Sequence, residues 1–496
     1  MTNETHDNDV AATTSKKVPV VANTGAIAAV GLDLQEGKVI PRKQVFSWAL
    51  WDWATQPFNT VLLTFVWVPS FLTSHFFLSE DVAAAGRNAD GSYLNCDASA
   101  AGNAYCEGLG QLAANLGWGI TIAGILIALL APVMGQRADA AGRQKLQLAI
   151  FTGLLVLCQF GLFFVDAGQQ WFLLGVSLIA IGSVVGEIAG VNYNALLVSV
   201  STKRTVGKVS GLGWGFGYLG GIIALAIVVG AILGGLLDGD SAWTFRIVAL
   251  GATIWTIVFA IPILLNVPEP LSAGVVKKVN FFRSYVELVK SIMRLWKDTR
   301  PTFWFLLASA VYRDGLAAVF TFGSVIAGAV FGFGFTDLVI FGIVLNLVAG
   351  LSTILAGRLD DRIGPKPVIM FAIGGLVVCT LTVFFAADLG KPLFWVVGII
   401  LAIFVGPAQA SSRSFLARVT PAGREGEIFG LYATTGRAAS WLASLLWGIF
   451  IAAAANQILY GILGITLVLA VGFVLLAFVR APERAQRMPK VESLAG

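Results

Sequence analysis

The chain is 496 residues long, with 57% hydrophobic residues, only 12% charged residues and a net charge of +5. A soluble domain carries roughly twice that charged fraction, so the composition excludes a soluble enzyme and places the chain in lipid, and the small cationic surplus calls for no nucleic-acid partner. Two histidines, no Cys/His cluster and no phosphate-cradling glycine loop argue against a metal centre, a cofactor or ATP drive.

In chain order, residues 1–43 read as a polar, disordered tail with no apolar core long enough for a cleaved signal. Apolar runs then follow that approach the ~20 residues a helix needs to cross a bilayer. Backbone in lipid must satisfy its own hydrogen bonds, so each run is expected to be helical. Twelve spans are expected, at about 46–78, 112–134, 146–166, 171–200, 211–237, 244–267, 301–333, 337–356, 368–387, 393–412, 428–451 and 457–479. They divide into an N-terminal six-helix bundle (44–267), a linker (268–300), a C-terminal six-helix bundle (301–480) and a tail (481–496).

Cys96 and Cys106 share the polar loop after the first span. They are expected to pair if that loop faces an oxidising space, and otherwise to be two free thiols. Cys158 and Cys379 lie inside apolar runs and read as packing residues. In the linker, Phe281, Phe282, Tyr285, Leu288, Val289, Ile292, Met293 and Trp296 form a helical stripe among Arg283, Lys290, Arg294 and Lys297. That pattern predicts an amphipathic helix on the membrane surface, or one packed on the bundle.

With both termini on one side, that side receives 28 of the 33 Lys and Arg, Arg413 among them, while the other receives only Arg87 and Lys391. Arg246, Arg313 and Arg437 fall within spans. The bias puts both termini in the cytoplasm of a multi-pass plasma-membrane protein.

Two strings repeat at an offset of 222. One is Gly135-Gln-Arg-Ala-Asp139-Ala-Ala-Gly142-Arg143-Gln-Lys145, and the other Gly357-Arg-Leu-Asp-Asp361-Arg362-Ile-Gly364-Pro-Lys366. Each reads as a short charged loop between apolar runs. The same offset carries Asp166 onto Asp388 and Glu187 onto Gln409, and a shift of 219 sets Tyr218 opposite Arg437. A duplicated six-span half is the natural source of such matches, with a substrate site near the midplane between the halves.

The two G-x-x-x-D-x-x-G strings resemble the cytoplasmic signature of the major facilitator superfamily, over about residues 44–480. Trp48-Ala-Leu-Trp51-Asp52-Trp53-Ala54, Val209-Ser-Gly-Leu-Gly-Trp214-Gly-Phe-Gly-Tyr218-Leu-Gly-Gly221 and Gln409-Ala-Ser-Ser-Arg413-Ser resemble one branch of it, which includes the autophagy-related vacuolar amino-acid effluxers. Gln56-Pro57 depart from that branch, where a small residue is usual, and bear on how the first span opens. The resemblance implies an all-α membrane protein of the major facilitator fold, twelve helices in two pseudo-symmetric bundles, and a secondary transporter with amino acids as the family-level substrate. It also implies that the signature residues Gly135, Asp139, Gly142, Arg143, Gly357, Asp361, Arg362 and Gly364 act as a conformational gate, with the carboxylates tying the halves together through a helix start or a nearby arginine.

An ionisable side chain inside a span is costly and is a functional candidate by default. Tyr312-Arg313-Asp314 sits near mid-span and forms the leading site. Glu187, Gln409, Tyr218, Arg437 and Asp52 are the other candidates. Arg313 or Arg437 suits a carboxylate, while Asp314 or Glu187 suits an amino group or a coupling proton. The competing reading is that these groups pair with one another and fix packing. Trp48, Trp51 and Trp53 are expected to form an aromatic belt at the membrane surface, with a substrate-stacking wall as the alternative.

Together these point to a monomeric, proton-coupled exporter of a small zwitterion or organic anion. A multidrug antiporter and a transporter-like sensor without flux are the rivals. No nucleophile–base pair supports an enzyme.

Overall fold

The computed structural model describes residues 39–479, apart from 90, 97–99, 101, 142, 202–205, 270–280, 420–430, 433 and 437. Most of the N-terminal tail, the tail after 480 and the first part of the linker lie outside the described residues.

The first apolar run is not one regular helix. Arg42–Pro57 forms α1, and the path continues through π-helical turns at Phe58–Phe65 and Val68–Leu72. Pro57 has no amide hydrogen and ends the regular ladder. Beyond it the bonding widens to five residues, with Val66 N–H donating to Val61 O and Thr73 N–H to Val68 O, each at 3.0 Å. The π-helical path ends at Leu72, and a 3-10 turn at His75–Phe77 carries the run to within one residue of the expected 78.

The helices that follow are α2 (Ala104–Ala141), α3 (Gln144–Leu162), α4 (Gln169–Ala195), α5 (Val206–Leu233) and α6 (Ala242–Asn266). Helix α7 (Phe281–Asp298) is the amphipathic linker helix. Then come α8 (Arg300–Ala329), α9 (Phe335–Ile363), α10 (Pro365–Phe385), α11 (Gly390–Val419), α12 (Leu442–Ala453) and α13 (Gly461–Phe478). Ten of these are long and apolar enough to cross a membrane, while α7 and the 12-residue α12 are not among them. The outward faces are apolar as well. On α3, Leu146, Ile150, Leu154 and Leu157 recur at helical spacing and are all exposed. A continuous exposed apolar stripe of this kind suits a lipid solvent.

In the first half α1 packs on α5 and α6, and α4 on α2 and α3. In the second half α8 packs on α13, and α11 on α9 and α10. The halves meet where α2 crosses α12, where α5 crosses α9, and where the π-helical end of α1 meets α8. Successive helices run in alternate directions, so the chain has a near end, where α1 begins, and a far end.

Among the described residues, the direct contacts between the halves cluster at the far end. Trp447 Nε1–H donates to Ala113 O at 3.1 Å and Cys96 N–H to Ala329 O at 2.9 Å. A Cβ added at Gly110, Gly117 or Gly124, seven residues apart on α2, would meet backbone of Asn456, Ser444 or Ser440. These glycines let α2 and the 440–456 segment approach to backbone contact.

The loop from Thr73 to Asn103 covers this end. It carries a short helix, Glu80–Ala85, and its Cys96 forms a disulfide with Cys106, which stands in the first turn of α2 and not in the loop, at a Cα–Cα distance of 5.3 Å. Cys158 and Cys379 are free and buried.

Candidate functional site

Helix α1 is locked to the first half by its aromatic face. The Tyr193 ring of α4 lies between those of Trp48 and Trp51, with centroid distances of 4.4 and 4.5 Å. Trp48 Nε1–H donates to Tyr193 O and Trp51 Nε1–H to Thr152 Oγ1, both at 3.0 Å. Both indoles are almost fully buried. The expected aromatic belt is therefore wrong for Trp48 and Trp51: residues three apart on one helix face share a surface, and here that surface packs on α3 and α4. Trp53 stacks on Trp255 of α6.

This packing leaves Asp52 on the α5 side. A Cβ on Gly217 would lie 3.4 Å from the Asp52 carboxyl carbon, an ordinary van der Waals contact, so the α5 backbone lies directly beside the carboxylate. Asp52 is half-buried and interacts electrostatically with Tyr193 and with Tyr218, one residue beyond Gly217. Tyr218 is 39% exposed.

In the second half, Tyr312, Arg313 and Asp314 point three ways, because consecutive helical residues are about 100° apart. Tyr312 is fully buried; its hydroxyl shares a 2.5 Å hydrogen bond with Ser412 on α11, and its backbone packs against Gly472 on α13. Asp314 is buried and accepts the Ala443 N–H at 2.6 Å, while the Leu442 N–H donates to Ala439 O at 3.0 Å. It caps α12, whose start is set off by a turn at 439–441. Arg313 alone faces the aromatic side of the segment leading into that turn. Its guanidinium lies 4.2 Å above the Tyr432 ring, and its Nη1 donates to Tyr432 O at 3.1 Å.

Arg413 was counted among the cations outside the spans. It belongs instead to α11, one turn beyond the half-buried Gln409. It is solvent-accessible and interacts electrostatically with Tyr432, Arg313 and Tyr218. Asp52, Tyr218, Arg413, Tyr432 and Arg313, from both halves, thus lie in successive electrostatic reach, with direct contact shown for Arg313 on Tyr432. Two guanidinium groups beside one tyrosine repel each other, and a carboxylate between them relieves that repulsion through charge-assisted hydrogen bonds. Sequence reading missed Arg413, Tyr193 and Tyr432. The quoted string Gln409-Ala-Ser-Ser-Arg413-Ser held the one available signal.

Of the remaining candidates, several lie outside the described residues. Glu187 is half-buried on α4, and Asn192 below it donates to Ile188 O at 2.9 Å. Arg437, Gly142 and the side chains of Asp139 and Asp361 lie outside the described residues, as does the packing around Gly135 and Gly357. Arg143 and Arg362 are exposed, and Gly364 has a φ of +91°. The signature strings are not loops for most of their length. Helix α2 extends to Ala141 and α9 to Ile363, so only one or two residues connect each to the next helix.

The lysines that close the two strings form a repeated contact. Lys145 Nζ donates to Val267 O at 2.9 Å, just past α6, and Lys366 Nζ donates to Ala477 O and Val479 O at 2.9 and 2.6 Å, at the end of α13. Each places a cation on the carbonyl end of the last helix in its half.

A cavity of about 60 Å³ lies mostly in the second half, lined by residues such as Val319, Phe341, Val383 and Leu401 with Phe65 of the first half. Its walls are almost entirely apolar and it is remote from the charged set, so it reads as a packing gap between helices.

Comparison with known proteins follows the same architecture. The model of the family described as "Vacuole effluxer Atg22 like" matches residues 41–203 and 198–488. The chain is 29% identical over 450 residues to the "Uncharacterized MFS-type transporter YxiO" of Bacillus subtilis (strain 168), covering 88% of this chain and 95% of that one. It is 25% identical over 305 residues to "Autophagy-related protein 22" of Cryptococcus neoformans var. neoformans serotype D (strain B-3501A), covering 57% and 54%. Among solved structures, a D-xylose-proton symporter superposes with a TM-score of 0.63 at 14% identity, over 88% of this chain and 98% of that one. The human organic anion transporter MFSD10 (TETRAN) superposes with a TM-score of 0.57 at 14% identity, over 88% and 99%. At such identities the structural likeness speaks to the fold alone.

Proposed function

Since the chain belongs to the Atg22-like vacuole effluxer family and is a secondary transporter of the major facilitator type, we propose that it moves a small zwitterion, an amino acid by preference, through the set that joins Asp52 to Arg313. The observation that carries this reading is Tyr218, which lies within electrostatic reach of Asp52 in its own half and of Arg413 in the other. In this scheme the substrate carboxylate enters between Arg413 and Arg313, and its ammonium group faces Asp52. Asp314, occupied with the start of α12, is not the amino-group partner. The charged poles favour a zwitterion over an apolar drug cation.

The proposal includes twelve spans. Helix α1 with its π turns and the broken 431–453 segment complete the ten long helices, giving six to each half. It places the termini in the cytoplasm, because moving Arg413 into a span still leaves 27 cations (28 − 1) on that side against Arg87 and Lys391. The near end is then cytoplasmic, and contacts between halves at the far end describe a pathway shut toward the outside. Export follows if protons return as substrate leaves. A proton on Asp52 discharges the ammonium partner and releases the substrate. The plasma membrane is the expected location and a monomer the expected unit.

Flux in proteoliposomes tests this, with amino acids compared against matched monocarboxylates and amines under an imposed pH gradient. Loss of a charge-assisted contact is worth about 1.5–3 kcal/mol, so Arg413→Ala is expected to raise KM about 10- to 100-fold for amino acids and far less for amines. Asp52→Asn is expected to abolish gradient-driven flux. Wild-type kinetics in both variants would remove the substrate from this set.

A further inference from the structure

Helix α7 presents three consecutive sectors around its circumference. At about 100° per residue, Leu295 and Ile292 mark the first, and Leu295 is fully buried against the bundle. Next comes an arc formed by Trp296, Val289, Met293 and Val286, each 41–52% exposed. Beyond it lie Lys297, Lys290 and Arg294, all exposed. The apolar arc thus borders the protein on one side and a row of cations on the other.

The helix is held in this attitude from both ends. The Tyr285 hydroxyl donates to Leu129 O on α2, in the first half. At the other end the Trp296 ring packs against Phe303 and Trp304 of α8, in the second half, at centroid distances of 4.8 and 5.6 Å. Arg300 lies 5.8 Å over the same indole. Rolling α7 to hide the apolar arc would pull Leu295 out of the bundle, so the exposed stripe is a fixed feature of this fold.

We infer that this face of α7 docks on the surface of the bilayer that surrounds the protein, with its cationic edge selecting anionic phospholipid headgroups. An apolar arc edged by cations matches a leaflet with acyl chains below and phosphates at the rim. A soluble acidic partner would find the cations but would have to cover the apolar arc as well, beside a membrane already in reach. Because α7 touches α2 and α8, headgroup binding fastens both halves at their near end.

The full-length protein tests this through a single label. The cysteines are either disulfide-bonded or buried, so Val289→Cys adds one accessible thiol for an environment-sensitive fluorophore. The labelled protein is placed in nanodiscs of phosphatidylcholine alone or mixed with phosphatidylglycerol, and quenching by aqueous iodide is measured. A Glu80→Cys label in the exposed outer loop gives the reference for full access.

The expected result is strong protection with phosphatidylglycerol and weaker protection with phosphatidylcholine. Each cation is worth roughly fivefold in headgroup preference, so combining Lys290→Gln, Arg294→Gln and Lys297→Gln should erase the difference between lipids. With the unmodified cationic edge, raising salt to about 1 M shrinks the screening length to about 3 Å and should erase it too. Quenching equal to the Glu80→Cys reference in phosphatidylglycerol would overturn the docking. Equal protection in both lipids would overturn the anionic selectivity. Protection that appears only when polyglutamate is added would assign the face to an acidic polypeptide instead.

Discussion

The Asp314 carboxylate accepts the backbone N–H of Ala443 at 2.6 Å, across 129 residues of sequence. It thereby fastens the start of α12 to the middle of α8. A helix that begins inside a membrane bundle exposes N–H groups that lipid cannot satisfy, and a carboxylate at that point also meets the positive end of the helix dipole.

Asp314→Ala is accordingly expected to destabilise the second half. One buried donor, the Ala443 N–H, loses its acceptor, at about 1–3 kcal/mol. Asp314→Asn keeps one acceptor and should recover most of the thermal stability measured in nanodiscs, with flux preserved. A normally stable Asp314→Asn protein that has lost its response to a pH gradient would show a proton carrier in place of a cap.

Gly110 and Gly124 report on the far-end closure. An added Cβ would lie 1.3 Å from Asn456 O at the first and 2.8 Å from Ser440 O at the second, with no flexible side chain to yield. Overpacking of about 1–3 kcal/mol bears only on the state in which α2 and α12 touch. Gly124→Ala is expected to shift the population toward far-end opening by about 5- to 150-fold, and Gly110→Ala by more. Labelling of Ser444→Cys by an impermeant thiol reagent should rise in step. Unchanged labelling would mean that the interface relaxes without opening.

Lys145 and Lys366 predict matched effects in the two halves. Substituting either with Met removes a cation from a helix end, where such contacts are worth about 0.3–1 kcal/mol. Hydrogen exchange should quicken at 263–267 in Lys145→Met and at 475–479 in Lys366→Met, each in its own half only. Exchange that quickens in both halves together would contradict independent caps.

His75 supplies a pH dependence outside the spans. It lies between the rings of Phe76 and Tyr93, each 4.2 Å away. Burial pushes its pKa down to about 4; Asp240 opposes that shift and Arg87 adds to it. The folded value lies below the unfolded one of about 6.5, so the stability that comes from a neutral His75 is fully present above pH 6.5. It declines as pH falls toward 4. Limited proteolysis of the 73–103 loop should accelerate over that window, and His75→Phe should flatten the profile. A profile unchanged by His75→Phe would place the titration elsewhere.

The membrane class and the helical content were legible because each depends on local or periodic signals. Lipid-length apolar runs, the repeated G-x-x-x-D-x-x-G strings and the offset that carries one half onto the other survive without knowledge of packing. The linker stripe around Val289 and Trp296 was legible for the same reason, since amphipathicity is a property of one helix. The first span was harder: its apolar run is continuous to 78, but Pro57 starts a π-helical path that ends at Leu72.

The site was legible only in its ingredients. Tyr312, Arg313 and Asp314 are adjacent in sequence, which suggested a common cavity, yet helix geometry sends them to α11, to Tyr432 and to α12. Arg413 looked like a loop cation because it stands at the edge of an apolar run. It becomes a site residue only when α11 brings it to Tyr218 and Tyr432.

What the sequence by itself determined is the solvent of this protein, its repeat and the side on which its cations gather, since hydropathy and charge bias act on each segment alone. What only the tertiary structure decided is which charges meet. Asp52 faces α5 because Trp48 and Trp51 anchor the opposite side of α1, and Asp314 is taken up by α12 because a broken helix must find an acceptor. Both outcomes depend on neighbours more than a hundred residues away in the chain, and neither leaves a trace in local pattern.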